Sequence, residues 1–354
     1  WAWLRSAEPK IAENTAFIRL PHDYLTERLT GNGITDRGDA SGTGWWSSRK
    51  NKYVQEVLDH PLVGLKPSML PKVLQPNEIA GKLNTNAADW TGLRVGIPVA
   101  CGTGDNAAAA LGLAVKPGIP VISLGTSGTA YMLSLKAPAD ISGQVFAHAS
   151  ASGEHLPLTC TLNATLAVDN IAEILSLDRD SVSDQTRVVV MPFLSGERLP
   201  NYPDARGSVV GIDHTTTPGE ILLAAYEGVA FSLVQSIGVL HAHSSGIDSD
   251  APIILVGGGA KGKVWQKTIS RLSGRELVIP KSDELVAYGA AAQAAGILNN
   301  EAAVDVATRW NVSDGQRLAA SAVDTEAIER NQYIRKGAHE LNSRGYFINP
   351  QSRV

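Results

Sequence analysis

Cys101-Gly102-Thr103-Gly104-Asp105-Asn106-Ala107-Ala108-Ala109-Ala110-Leu111-Gly112 is followed closely by Val121-Ile122-Ser123-Leu124-Gly125-Thr126-Ser127-Gly128-Thr129-Ala130-Tyr131, and these two runs decide how the chain is read. Glycines 102 and 104 permit a tight backbone path, and the alanine run behind them is the best helix-forming composition available. Asp105 stands between the two, where an N-cap belongs, so the sequence predicts a carboxylate presented at a helix N-terminus. Free N–H groups and the helix dipole favour an anion there, which leaves Asp105 poised to accept a proton.

The second run reads as strand, small-residue turn, strand. Successive N–H groups in such a turn form an anion-binding concavity, and the hydroxyls of Thr126, Ser127 and Thr129 add donors for phosphate oxygens. No lysine follows in the Walker arrangement, so the run is not a P-loop. Taken singly, Asp105 could be only a cap and the turn only a hairpin. Together, a carboxylate and a phosphate-sized nest are what a hydroxyl-phosphorylating enzyme needs.

The whole chain sets the bounds. Its 354 residues with 44% hydrophobic content are enough for two cored domains, and a net charge of -4 with mixed signs argues against a nucleic-acid partner. The two cysteines, Cys101 and Cys160, have no metal-ligand spacing, which suits a reducing, cytoplasmic setting. No apolar run reads as a membrane span, and no signal-peptide pattern opens the chain.

Outward from the centre, the spacing predicts helices over Ile11 to Leu20, Pro21 to Leu29 and, within a Pro-rich connection, Glu78 to Leu83. Val95 to Ala100 reads as a strand aimed at Asp105. Asp39 in Asp39-Ala40-Ser41-Gly42-Thr43 is expected to be a cap, and Trp45 and Trp46 wall or core residues. Ile141 to Leu158 alternates as antiparallel strands do, Leu166 to Leu175 returns to helical spacing, and Val188 to Phe193 is a buried strand. Beyond it, Glu197, Arg198, Asp204 and Arg206 read as a loop salt-bridge network. Gly219 to Ala242 is the longest helical pattern.

Ile253 to Val256 then runs into Gly257-Gly258-Gly259-Ala260-Lys261-Gly262 and a helix over Val264 to Leu272, a geometry suited to nucleotide approach. This run also satisfies G-x-G-x-x-G. A dinucleotide fold expects an acidic residue at the end of the next strand, whereas Glu276 to Ile279 ends in Pro280-Lys281. An NAD-linked oxidoreductase is therefore the weaker alternative. Val323 to Leu341 is expected to be a solvated closing helix.

Four blocks carry a family likeness: Gly102 to Leu111 with Leu124 to Tyr131, Leu20 to Gly31, Leu194 to Gly207, and Glu227 to Phe231 with the Gly257 to Gly262 turn. They resemble, in order, the FGGY carbohydrate kinases, although that family commonly carries lysine where this chain has His22. The resemblance implies an α/β fold of the actin-like, hexokinase-type ATPase class (ribonuclease H-like), two lobes with a central cleft. Residues 1–113 would be the remainder of a sugar-binding lobe and 114–354 the nucleotide-binding lobe. It also implies transfer of the γ-phosphoryl of ATP, with Mg2+, to a ketopentose such as D-xylulose. Asp105 would be the base, Gly125, Thr126 and Ser127 the phosphate ligands, and Gly258 and Gly259 the backbone against which adenosine lies. No residue is assigned as a metal ligand; an early magnesium-associated acid and part of the sugar pocket are expected before Trp1. A ribulose, gluconate or glycerol kinase, or a non-catalytic nucleotide-binding protein, are the other readings. A homodimer is common in the family.

Overall fold

The computed structural model describes residues 1–343, with side chains through residue 337. Residues 1–112 form several small cores, and the large sheet begins only at Val121. Helix α1 (Pro21–Thr30) opens with proline in its first turn, the backbone N–H of Leu20 donating to Asp23 at 3.0 Å, and stops at Gly31 in the left-handed region. Helix α2 (Arg37–Gly42) is capped by Asp36, whose carboxylate accepts from the N–H groups of Gly38 and Asp39. Ile34–Asp36 pairs parallel with Lys72–Leu74, and Trp46 is a core residue packed with Ala40 and Ala149.

Two expectations are corrected in this half and a third holds in part. Helix forms only at Ala2–Ala7 and Pro9–Glu13 before α1, and the chain from Thr15 to Leu20 is irregular. Ile11 and Phe17 are exposed, so no face is available to bury, and Leu20 is held extended by the proline that follows it. Residues 79–82 form a strand, not a helix, because they pair antiparallel with Pro98–Ala100 across a bulge. Of the predicted strand over Val95 to Ala100, those last three residues are extended in a ladder.

Helix α3 (Asp105–Gly112) leads into the strands of the main sheet: β1 (Val121–Leu124), β2 (Gly128–Tyr131), β3 (Phe146–Ala149) and β4 (His155–Thr161). Helices α4 (Thr165–Leu175) and α5 (Pro218–His243) follow, then β5 (Ile253–Val256), α6 (Lys263–Ser273), β6 (Leu277–Pro280), α7 (Leu285–Asn299), β7 (Gly315–Leu318) and α8 (Thr325–Ser343). The strand order is β7-β6-β5-β1-β2-β4-β3, with β6, β5 and β1 parallel and the remaining pairs antiparallel.

Period-two alternation sorts the side chains onto two faces. Ile122, Leu124, Ile253, Leu255, Leu277 and Ile279 pack with α4, α5 and α6. Val121, Tyr131, Ile254, Val256 and Val278 pack on the other face with α3 and α7. Helix α3 therefore buries Ala107, Ala110 and Leu111 against the second face of the main sheet. It also crosses α7 closely: a Cβ on Gly289 would stand 1.9 Å from the carbonyl oxygen of Ala108, so only glycine fits there.

Helix α5 starts with a reciprocal cap between Thr217 and Glu220 and a proline at N1. Against the sequence reading, it is long and apolar enough to cross a bilayer, with mean hydropathy 1.5 over its most apolar part; 78% of that part is buried inside the fold. Helix α8 is not the solvated closing element expected. Arg330 reaches Glu227 at 2.9 Å, and Arg335 reaches the Gly228 carbonyl at 2.6 Å, so the helix is bound to α5 by its cations. The part of the predicted tail beyond residue 343 lies outside the described residues.

Candidate active site

Two glycine turns meet at the carboxyl ends of the neighbouring parallel strands β1 and β5, the edge of an α/β sheet where ligands bind. After β1, Gly125, Thr126 and Ser127 form the hairpin turn, fixed from behind. Gly125 N–H donates to the Ser127 carbonyl at 3.1 Å, and Thr165 donates both its N–H and its hydroxyl to the Gly125 carbonyl. The Thr126 and Ser127 side chains are exposed, and their N–H groups donate to nothing among the described residues. Thr129 sits in β2 with its hydroxyl buried and without a partner.

After β5, Gly257 has φ +88° and a Cβ there would lie 2.6 Å from the Leu124 carbonyl oxygen. Gly259 would collide with Thr165 at 2.8 Å and Leu124 at 2.9 Å, whereas Gly258 has nothing within 4 Å. The expected need for glycine beside a ligand therefore divides. Gly257 and Gly259 let one turn close onto the other, and Gly258 alone faces open space. Helix α6 begins one residue before the predicted start, after a 3-10 turn over Gly258–Lys261.

Asp105 is the first residue of α3, not its cap; Gly104, with φ -64° and ψ 157°, holds that position. The difference frees the side chain. It accepts from the Asn106 backbone N–H at 2.7 Å and the Asn106 amide at 3.0 Å, is exposed, and lines a small cavity of about 60 Å³. Gly38 and Asp39 form one wall of that cavity and His148, Ala149 and Leu156 of β3 and β4 form another. The carboxylate thus stands where the first half of the chain meets the main sheet.

Asp39 is not the expected cap, since Asp36 fills that role. One oxygen of Asp39 lies 2.6 Å from His22 Nδ1 and the other would touch a Cβ on Gly104 at 2.3 Å. Around the ring stand Asp23 at 3.4 Å and Asp36 at 3.7 Å. Burial pulls the imidazole pKa down, but the Asp39 hydrogen bond and the charges of Asp36, Asp39 and Asp23 outweigh it and raise it to about 9. Burial dominates at Asp36 and pushes its carboxyl up to about 6, although Thr103 donates to it at 2.7 Å. His22, Asp36 and Asp39 each bring a ligand atom within 4.8 Å of the others, yet the imidazole already has a carboxylate beside each nitrogen. The charges of the group balance as a cation among acids, although His22 Nε2 has no hydrogen-bond partner among the described residues, and no metal is assigned to it.

His148 escaped the sequence reading, because a single histidine in an alternating strand carries no signal of its own. Its ring is buried, which lowers its pKa, and its Nδ1 is 3.5 Å from the Ser41 hydroxyl; the same hydroxyl accepts from Ala149 N–H at 2.9 Å. Helix α2 is thereby fastened to β3. The predicted salt-bridge loop is different in kind: the buried Glu197 carboxylate accepts from the N–H groups of Leu162 and Arg198 and from the Asn163 amide, organising backbone.

Two glycine turns at adjoining strand ends, a free carboxylate at a helix start and two joined α/β parts define an actin-like, hexokinase-type ATPase fold. The family description "FGGY family of carbohydrate kinases, N-terminal domain" matches residues 1–112, and the corresponding C-terminal domain matches residues 121–297. The chain belongs to the FGGY family of carbohydrate kinases. It is 50% identical over 345 residues to a xylulose kinase of Streptomyces rubiginosus, covering 98% of this chain and 70% of that one. To a xylulose kinase of Streptomyces coelicolor it is 53% identical over 333 residues, 93% and 67% of the two chains. Among solved structures, a xylulose kinase from Bifidobacterium adolescentis superposes with TM-score 0.79 at 29% identity, over 94% of this chain and 71% of that one. A structure described as a xyloylose kinase from Brucella ovis gives 0.85 at 26% identity, over 98% and 72%.

Proposed function

We propose that this carbohydrate kinase transfers the γ-phosphoryl of ATP to the terminal hydroxyl of D-xylulose, giving D-xylulose 5-phosphate. The observation that carries the reaction class is the exposed Asp105 carboxylate, bonded among the described residues only to Asn106 and opening on a cavity walled from both halves of the chain. The two Streptomyces relatives favour xylulose over the other sugars of the family.

Residues 1–113 and 114–354 act as the two lobes, with α3 at their seam. Asp105 takes the proton of the attacking hydroxyl, and Asn106 holds the carboxylate in place through two hydrogen bonds. The unused N–H groups and hydroxyls of Thr126 and Ser127, with Gly125 shaping the turn, receive phosphate oxygens. Gly258 leaves space for the nucleoside, while Gly259 keeps the turn pressed onto β1. Magnesium, when bound with the nucleotide, neutralises phosphate charge, and no side chain described here is assigned to it. Closure of the lobes would exclude water and limit ATP hydrolysis.

The test is ADP release measured with ATP and a panel of D-xylulose, ribulose, gluconate and glycerol. The proposal expects turnover on D-xylulose to exceed the rest. Preference for another member of the panel would replace the sugar, and release with none would contradict the reading.

A further inference from the structure

We propose that the cavity between α5, α8 and the segment 191–202 is a second binding site, for a small organic anion with an apolar body such as an aromatic carboxylate. It encloses about 350 Å³, within the range of small-molecule sites. Its walls are mainly apolar, with Met191, Phe193, Leu199, Phe231 and Val239 among them. Arg335 and Lys336 also line it, and among the described residues no aspartate or glutamate does.

Arg335 explains why an anion is expected. One terminal nitrogen donates to the Ser232 hydroxyl at 3.0 Å and the other to the Gly228 carbonyl at 2.6 Å; the Nε–H is buried and has no acceptor among the described residues. The guanidinium lies 4.8 Å from the Phe231 ring centre and 5.5 Å from that of Phe193. Among the described residues no carboxylate comes within ion-pair distance of it. Glu197 is near enough to oppose the effect of burial, which still brings the Arg335 pKa down to about 10, but its own oxygens are committed to Leu162, Asn163 and Arg198. A largely desolvated cation with no carboxylate within ion-pair distance among the described residues is costly, and the Arg335 side chain lines this apolar cavity, where a ligand carboxylate would offset that cost. Lys336, exposed at the same cavity, adds a second positive charge.

The probe is 8-anilinonaphthalene-1-sulfonate, an aromatic anion, titrated into the whole protein by fluorescence and set against the uncharged N-phenyl-1-naphthylamine. The expected result is saturable sulfonate binding, about tenfold weaker in Arg335→Met and several-fold weaker in Lys336→Glu. The uncharged probe should keep its affinity in both variants, and saturating ADP should displace neither. Circular dichroism melts check that each variant is folded; should Arg335→Met fail to fold, the exposed Lys336→Glu decides alone. The proposal is overturned by unsaturable or absent sulfonate binding, by equal affinity in wild type and the folded variants, by parallel loss of both probes, or by displacement with ADP.

Discussion

The imidazole of His22 lies 2.6 Å from the carboxylate of Asp39, and the other Asp39 oxygen fills the space that a Cβ on Gly104, immediately before Asp105, would need, 2.3 Å from it. A half-buried imidazole is therefore set, through one carboxylate, beside the turn that presents the proposed base.

This pairing sets a pH dependence. The imidazole is raised from 6.5 to about 9, so its contribution is complete below pH 6.5 and is lost as pH rises through 9. Asp36, raised from 3.8 to about 6, loses its own contribution over a lower window and so does not mask this one. Wild type should lose on the order of 2 kcal/mol between pH 6.5 and 9 relative to His22→Gln. Urea unfolding across that range measures it, and parallel curves for the two proteins would refute the pairing.

Neighbouring glycines should respond in opposite ways. Gly259→Ala forces a Cβ onto Thr165 and Leu124 and should cost about 1–3 kcal/mol of stability. Gly258→Ala meets no atom within 4 Å, so its melting temperature should hold while ATP affinity falls. Differential scanning calorimetry and titration calorimetry separate these effects. Equal destabilisation by both changes would contradict the division of labour.

Glu227 tests the attachment of α8. Its buried carboxylate takes Arg271 at 2.5 Å and Arg330 at 2.9 Å, and Arg271 also binds Asp324. Glu227→Ala leaves two guanidinium groups without that partner and should cost about 3–5 kcal/mol in chemical denaturation. A loss below 1 kcal/mol would show that the network relaxes into solvent.

What could be read in the sequence was local. Val121 to Leu124 and Ile253 to Val256 are apolar runs ended by small-residue turns, and Thr217-Pro218 with Glu220 marks the start of α5. The residue types of the proposed site are also visible there, in Asp105 and in the turn over Gly125, Thr126 and Ser127. The remainder depends on distant partners. Residues 79–82 become a strand only because Pro98–Ala100 offers a ladder. His22 and Asp39 come from different helices, and Arg335 finds Gly228 across 107 residues. Gly259 reads in the sequence as a ligand glycine beside Gly258 because the residues it packs on, Leu124 and Thr165, are far away in the chain.

The measurement that bears most directly on the account is turnover of Asp105→Asn with D-xylulose and ATP, followed by coupled ADP release, beside ATP affinity by calorimetry. Removing the proton acceptor should reduce turnover by about a hundredfold or more and leave the nucleotide dissociation constant unchanged. Turnover equal to wild type would take Asp105 out of the mechanism and contradict the account.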